Sequence, residues 1–231
     1  MGAGHPECPE RLSAIEDRLL ISGVDLALTR REAPPAALAD LELAHGRMHV
    51  AALRGLNDML REDMAAGGPT HTALDTDTSI NAYTWDAALR SAGAAIEATD
   101  AVLAGELENA FCATRPPGHH ACRDKAMGFC FFNNVAIAAK YALERHGLKR
   151  VAIVDFDVHH GNGTEDIVAG DDRILMVSFF QHPFYPEGGS QSNAGNLVNL
   201  PVPAYTKGMD IRELIDMMWI PRLEAHKPEL I

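Results

Sequence analysis

Four of the eleven histidines stand in two tandem pairs: His119-His120 in RPPGHHA (residues 115–121) and His159-His160 in DFDVHHGNGTED (residues 155–166). In the second block Asp157 and His159 lie two apart at the end of an apolar run. In extended backbone, i and i+2 point the same way, so one carboxylate and one imidazole can meet a single small cation. Mixed nitrogen–oxygen coordination suits catalytic zinc, with ferrous iron as the alternative, better than calcium or magnesium. Asp155 points the same way from further back; buried there, it needs a partner such as an imidazole N–H or a cation. Gly161 and Gly163 permit a sharp turn and close backbone approach. Alone, an Asp-x-His pair more often closes a loop hydrogen bond; the second histidine cluster shifts the balance toward a metal.

In that second cluster Pro116-Pro117 fix an extended path and Gly118 allows a tight turn, so His119 and His120 are presented together. Adjacent histidines make better sense here as a proton-transfer pair, tuned by different partners behind them, than as two ligands of one ion. The competing reading is two loop histidines capping backbone groups. MGFCFFNN (127–134) follows, apolar yet placed in a loop. At least two of Phe129, Phe131 and Phe132 should be core. Gly128-Phe129 can line a narrow apolar slot, with Phe184 and Tyr185 of HPFYPEGG (182–189) as its opposite wall. His45, His49, His71, His146 and His226 read as surface or packing residues.

The elements that position these groups are legible from periodicity. Helices are expected over about 9–22, stopped by Gly23, and over 47–65, ending at Gly67-Gly68. A third should run from Thr84 as N-cap to Ala104 before Gly105. FCAT (111–114) reads as a short buried strand, 133–147 as a capped helix, and RVAIVDF (150–156) as a strand. A short helix at 164–169, strands at 173–180 and 197–200, and a helix over 208–226 complete the series. Strand and helix alternation predicts an α/β fold, a mainly parallel sheet between helical layers. Ligands of such sheets sit beyond the carboxyl ends of the strands. Three such ends lead into RPPGHHA, into Asp157-His159, and into Gln181-His182.

The chain has 231 residues, 47% of them apolar and 23% charged, which is enough for one sizeable core and argues against global disorder. A net charge of −12 argues against direct nucleic-acid binding. The four cysteines, Cys8, Cys112, Cys122 and Cys130, form no CxxC pair, so a reducing cytoplasm is the expected setting. No apolar run reaches the ~20 residues of a membrane span, and MGAGHPECPERL does not read as a signal peptide.

RPPGHHA, GFCFFNN and DFDVHHGNGT, in this order and spacing and preceded by HPECPERL, resemble the signature blocks of the histone deacetylase and acetylpolyamine amidohydrolase family, of arginase-deacetylase fold. The resemblance extends over essentially all 231 residues. It implies a metal-dependent amidohydrolase acting on acetyl-lysine or a polyamine-type acetylated amine. Asp157 and His159 match two of three zinc ligands, and His119 and His120 the tandem catalytic histidines. Asp155 matches the carboxylate behind the first of these and Asn162 the polar partner of the second, in the manner of the class II-like branch. Gly128 and Phe129 match one wall of the acyl tunnel, Tyr185 the other, and Asp77 a rim aspartate that grips the substrate backbone. Family members also bind potassium through groups matching Asp155, Asp157, His159, Ser178 and Phe179.

Three family features have no match here. The third ligand belongs to a block resembling SAGFDAHxxD after a PEL-type strand start, and these residues stop at KPELI (227–231). The glycine-rich segment with the catalytic Tyr or His, and the strand before GxGHPE, are likewise without a counterpart. The expectation is one deacetylase-like domain trimmed at both ends, with little activity of its own and self-association over the unpaired sheet edge. A non-catalytic binding module that keeps the pocket is the alternative. An arginase-like ureohydrolase would need more clustered carboxylates than DFDVHHG supplies.

Overall fold

A computed structural model describes residues 4–187 and 194–231; the end of HPFYPEGG lies outside the described residues. Its elements are α1 (Glu10–Ser22), α2 (Leu38–Leu41), α3 (Arg47–Ala65), β1 (His71–Ala73), β2 (Ser79–Asn81), α4 (Thr84–Leu103), α5 (Asn134–Glu144), β3 (Val151–Asp155), α6 (Asn162–Val168), β4 (Ile174–Gln181), β5 (Leu197–Val202), α7 (Gly208–Leu214) and α8 (Ile220–His226). One π-helical turn, Ile215–Trp219, joins the last two, so 208–226 is helical throughout.

Strands β3, β4 and β5 form a parallel sheet in that order, with Val151 opposite Ile174 and Met176 opposite Leu197. Their side chains alternate between two cores. Val151, Ile153, Ile174, Met176 and Leu197 join residues of α3, α4, α5 and α6 on one face. Leu175, Val177 and Val198 meet Trp219 on the other. Near-continuous apolar runs are what a sheet covered on both faces requires, and helix–sheet–helix layering follows. Leu230 bridges Val151 in parallel register, and Ala152 N–H donates to Leu230 O at 2.9 Å. Among the described residues, the outer edge of β3 is therefore paired only at its start.

Helix ends follow local chemistry. Gly23 caps α1 in the left-handed region at φ 76°. Asn133 caps α5, its side chain accepting from Ala136 N–H. Thr84, by contrast, is the first residue of α4 rather than its N-cap, because its hydroxyl is engaged by Asn81, which donates its backbone N–H to it at 3.0 Å. The expected strand at 111–114 is not part of either sheet. Phe111 is 72% exposed, and the segment is held by Thr114, whose hydroxyl lies 2.9 Å from Ser91 Oγ. The antiparallel pair β1–β2 has too short an apolar pattern to stand out in the sequence. Among the described residues no helix is long and apolar enough to cross a membrane.

The turn between α6 and β4 is closed by one buried amide. Asn196 Nδ2 donates to Val168 O and Ile174 O at 2.8 Å, with Asp171 O at 3.3 Å, while its Oδ1 accepts from Gly170 N–H. Asn196→Asp puts a carboxylate among carbonyl oxygens in place of a donor. It is expected to cost about 3 kcal/mol or more, read as a lower urea midpoint at unchanged m-value.

Candidate active site

The carboxyl ends of β3 and β4 and the loop carrying His119 and His120 meet at one edge of the sheet. His119 Nδ1 lies 3.0 Å from Asp155 Oδ2, and His120 Nδ1 lies 2.8 Å from Asn162 Oδ1. The two rings are 4.0 Å apart between centroids. Both partners are acceptors, so each imidazole carries its proton on Nδ1 and turns Nε2 away from its partner.

The partners give the two rings opposite tendencies. Burial disfavours the charged form of His119, but the Asp155 hydrogen bond and charge outweigh it and hold its pKa above the usual value. Burial lowers His120 to about 4, aided by the charge of His119, and a neutral amide behind it offers little compensation. Two adjacent imidazoles with pKa values driven apart suit a pair that divides holding and accepting a proton.

Asp157 and His159 lie beside this pair. Asp157 Oδ1 is 2.9 Å from His159 Nδ1 and also accepts His159 N–H at 2.7 Å. Their side chains are 49% and 36% exposed, so both stand at the surface of the site rather than buried beneath it. Burial raises the Asp157 pKa, but the His159 N–H and the neighbouring imidazoles bring it below the usual carboxylate value. A charged carboxylate and an imidazole nitrogen this close fit two positions of a zinc site. Among the described residues no cluster of three His, Cys, Asp or Glu side chains is poised to hold a metal.

Tyr185 packs edge-on against both His120, at 5.1 Å, and His159, at 6.1 Å, while Phe184 stacks on His159 at 5.1 Å. Burial and the charges of Asp77 and Asp75 push the Tyr185 hydroxyl up to about 12. On the other side Gly128, at φ 56°, lies so close to His120 that a Cβ would overlap its ring. Phe129 N–H donates to Thr78 Oγ1 at 2.9 Å, and its ring meets His5 edge-on at 4.5 Å. Asp77 thus enters the site region on the β1–β2 turn, where Asp75 Oδ1 accepts the N–H groups of Asp77 and Thr78. His5 and Thr78 are neighbours of Phe129 that the sequence reading passes over; the DTDT turn was the available signal for Thr78.

Ser178 pairs with Asp155 across β3 and β4, and its hydroxyl donates to Asn199 Oδ1 at 3.0 Å; Phe179 stacks on Trp219. Two further histidines at strand exits, His160 and His182, do not join His119, His120, Asp157 and His159. His160 turns its Nε2 to Glu165 Oε2 at 3.0 Å. His182 is tied to β5 through its own backbone N–H to Val202 O, and no hydrogen bond or ring contact of its imidazole is found among the described residues. Behind His119 a cleft of about 630 Å³ runs along β3, lined by Pro117, Gly118, Asn134, Val154 and Phe156.

A histone deacetylase domain matches residues 5–231. A histone deacetylase-like amidohydrolase of Pseudomonas aeruginosa is 40% identical over 99% of this chain and 60% of its own length. A probable deacetylase of Archaeoglobus fulgidus is 38% identical over 98% of this chain and 62% of its own, and mouse polyamine deacetylase HDAC10 is 38% identical over 84% and 30%. The crystal structure of the HDA15 HD domain superposes with a TM-score of 0.83 at 33% identity, over 99% of this chain and 67% of that one. The chain belongs to the histone deacetylase family. It spans about three-fifths of the Pseudomonas and Archaeoglobus relatives.

Proposed function

We propose that this chain carries the metal-binding and proton-transfer part of a zinc-dependent deacetylase that hydrolyses the amide of acetyl-lysine or of an acetylated polyamine. The observation that carries the reading is the imidazole pair, backed by a carboxylate on one side and an amide on the other, facing Asp157 and His159. His120 is the base: with its proton kept on Nδ1 by Asn162, Nε2 is free to take a proton from the attacking water. His119, tied to Asp155, holds a proton and orients its neighbour. Gly128, Phe129 and Tyr185 form the acyl slot, and Asp77 binds the substrate backbone at the rim. Zinc, or ferrous iron in its place, held by Asp157, His159 and a third donor, would polarise the amide carbonyl. Asp155, Asp157, His159, Ser178 and Phe179 would hold potassium.

We read residues 1–231 as belonging to a single deacetylase-like domain. The missing three-donor cluster among the described residues favours, for residues 1–231 alone, the second reading: a binding module without turnover. Assays of zinc-loaded 1–231 beside a form extended past Ile231 separate the two, using a fluorogenic acetyl-lysine amide and an N-acetylpolyamine. Turnover confined to the extended form is expected. Zinc-independent turnover, or none by the extended form, contradicts the proposal.

A further inference from the structure

The loop from Ala121 to Asn133 carries Gly128 and Phe129 and follows directly on His120. It is held from behind by two buried histidines far away in sequence. His45, 1% exposed, accepts Asn133 N–H at Nε2, 2.8 Å away, and its Nδ1 lies 3.2 Å from Arg123 O. His49, 8% exposed, reaches Phe131 O through Nε2 at 2.9 Å. Gly46, between them, donates its N–H to Arg123 O at 3.1 Å. The start, middle and end of the loop are thus bonded to one end of α3.

The bonds define the ring states. The backbone N–H of Asn133 can only donate, so His45 Nε2 must be a bare acceptor and its proton sits on Nδ1, toward Arg123 O. The bond pattern therefore exists only for neutral His45; burial favours that form, as does neighbouring His49, against the opposing charge of Asp124.

Asn133 carries the constraint onward. Its Nδ2 donates to Ala121 O and Thr164 Oγ1, both at 3.1 Å. Ala121 adjoins His120, and Thr164 lies two residues from Asn162. The two halves of the His120–Asn162 pair are therefore set relative to one another through the residue that His45 anchors.

We infer that His45 and His49 are positioning residues, which fix the 121–133 loop and through Asn133 the register of His120 against Asn162. Their relevance to catalysis rests on the proposed function, but their effect on the loop is measurable without turnover. Two readouts serve: amide hydrogen exchange by mass spectrometry and the imidazole nitrogen signals in NMR. His45→Phe keeps an aromatic ring and removes both bonds; His45→Gln can restore one donor and one acceptor.

In His45→Phe, exchange in peptides spanning 121–133 should quicken about 10-fold or more, with the β3 and β4 peptides unchanged. The His120 Nδ1–H signal should shift or vanish. His45→Gln should recover most of both. An unchanged loop and His120 signal in His45→Phe overturns the inference. So does uniform loss of protection that includes the sheet, which would mark an ordinary core residue. Should His45→Phe not fold, His45→Gln decides: a native His120 signal supports the inference, and a displaced one in a folded chain defeats it. None of these results depends on whether an acetylated amine is turned over, so the deacetylase reading stands or falls separately.

Discussion

Replacing His120 by alanine is expected to lower kcat by about 10²–10⁴-fold, the usual worth of a positioned general acid or base, and to leave metal content unchanged. The measurement belongs in a form of the protein that turns over an acetylated amine. His120 is bonded at Nδ1 to the amide of Asn162 and held neutral by burial, so its free Nε2 has a base's properties. His119→Ala should fall in the same range, since it removes the proton held against Asp155. Asp157→Ala and His159→Ala should behave differently. Each deletes one of two donor atoms 2.9 Å apart, so zinc content itself should fall, with activity following it. Elemental analysis beside steady-state kinetics separates the two groups of variants. Loss of zinc in folded His120→Ala would make that histidine a ligand, and zinc retained in both Asp157→Ala and His159→Ala would place the metal elsewhere.

Much of this arrangement is legible in the sequence because it follows from local pattern. The run VAIVD must be a strand buried on both faces, and its exit fixes where Asp157 and His159 emerge. Asn133 before an apolar periodic segment marks a helix start, and Gly23 a helix end. Asp155 behind His119 and Asn162 behind His120, implied by the family resemblance, are the partners found in the structure. Contacts across long sequence separations are not legible in this way. FCAT has the composition of a buried strand, yet nothing local says whether a neighbouring strand exists to pair with it. His45 and His49, expected from the sequence as surface or packing residues, are both buried. Their bonds to Asn133 and Phe131, 88 and 82 residues away, leave no trace in spacing. Asn196 looks like any loop asparagine until three carbonyls converge on it. Of the histidines that follow strand ends, composition cannot say that His160 turns to Glu165 while His159 stays open.

Gly128→Ala should reduce kcat/KM by about 10²-fold or more, because a displacement near 1 Å at a reacting group costs on that order. Met127 and Cys130 exchange both backbone hydrogen bonds, at 3.1 and 2.9 Å, around Gly128 at φ 56° and Phe129 at φ 69°. Two successive left-handed residues make this a tight hairpin turn of the kind in which glycine is favoured. The turn cannot swing aside, since Phe129 N–H is bonded to Thr78 and Cys130 is fully buried. An alanine methyl at 128 would overlap the His120 ring, so the imidazole must move off Asn162 or the turn must open. Either change falls on His120, the proposed base, rather than on the proposed slot alone, and the loss should appear chiefly in kcat. Phe129→Ala is the control: it keeps the turn and His120 and removes only the wall that meets His5, so its effect should appear chiefly in KM. Equal effects of the two variants on KM, with kcat intact in both, would show that His120 does not depend on this turn.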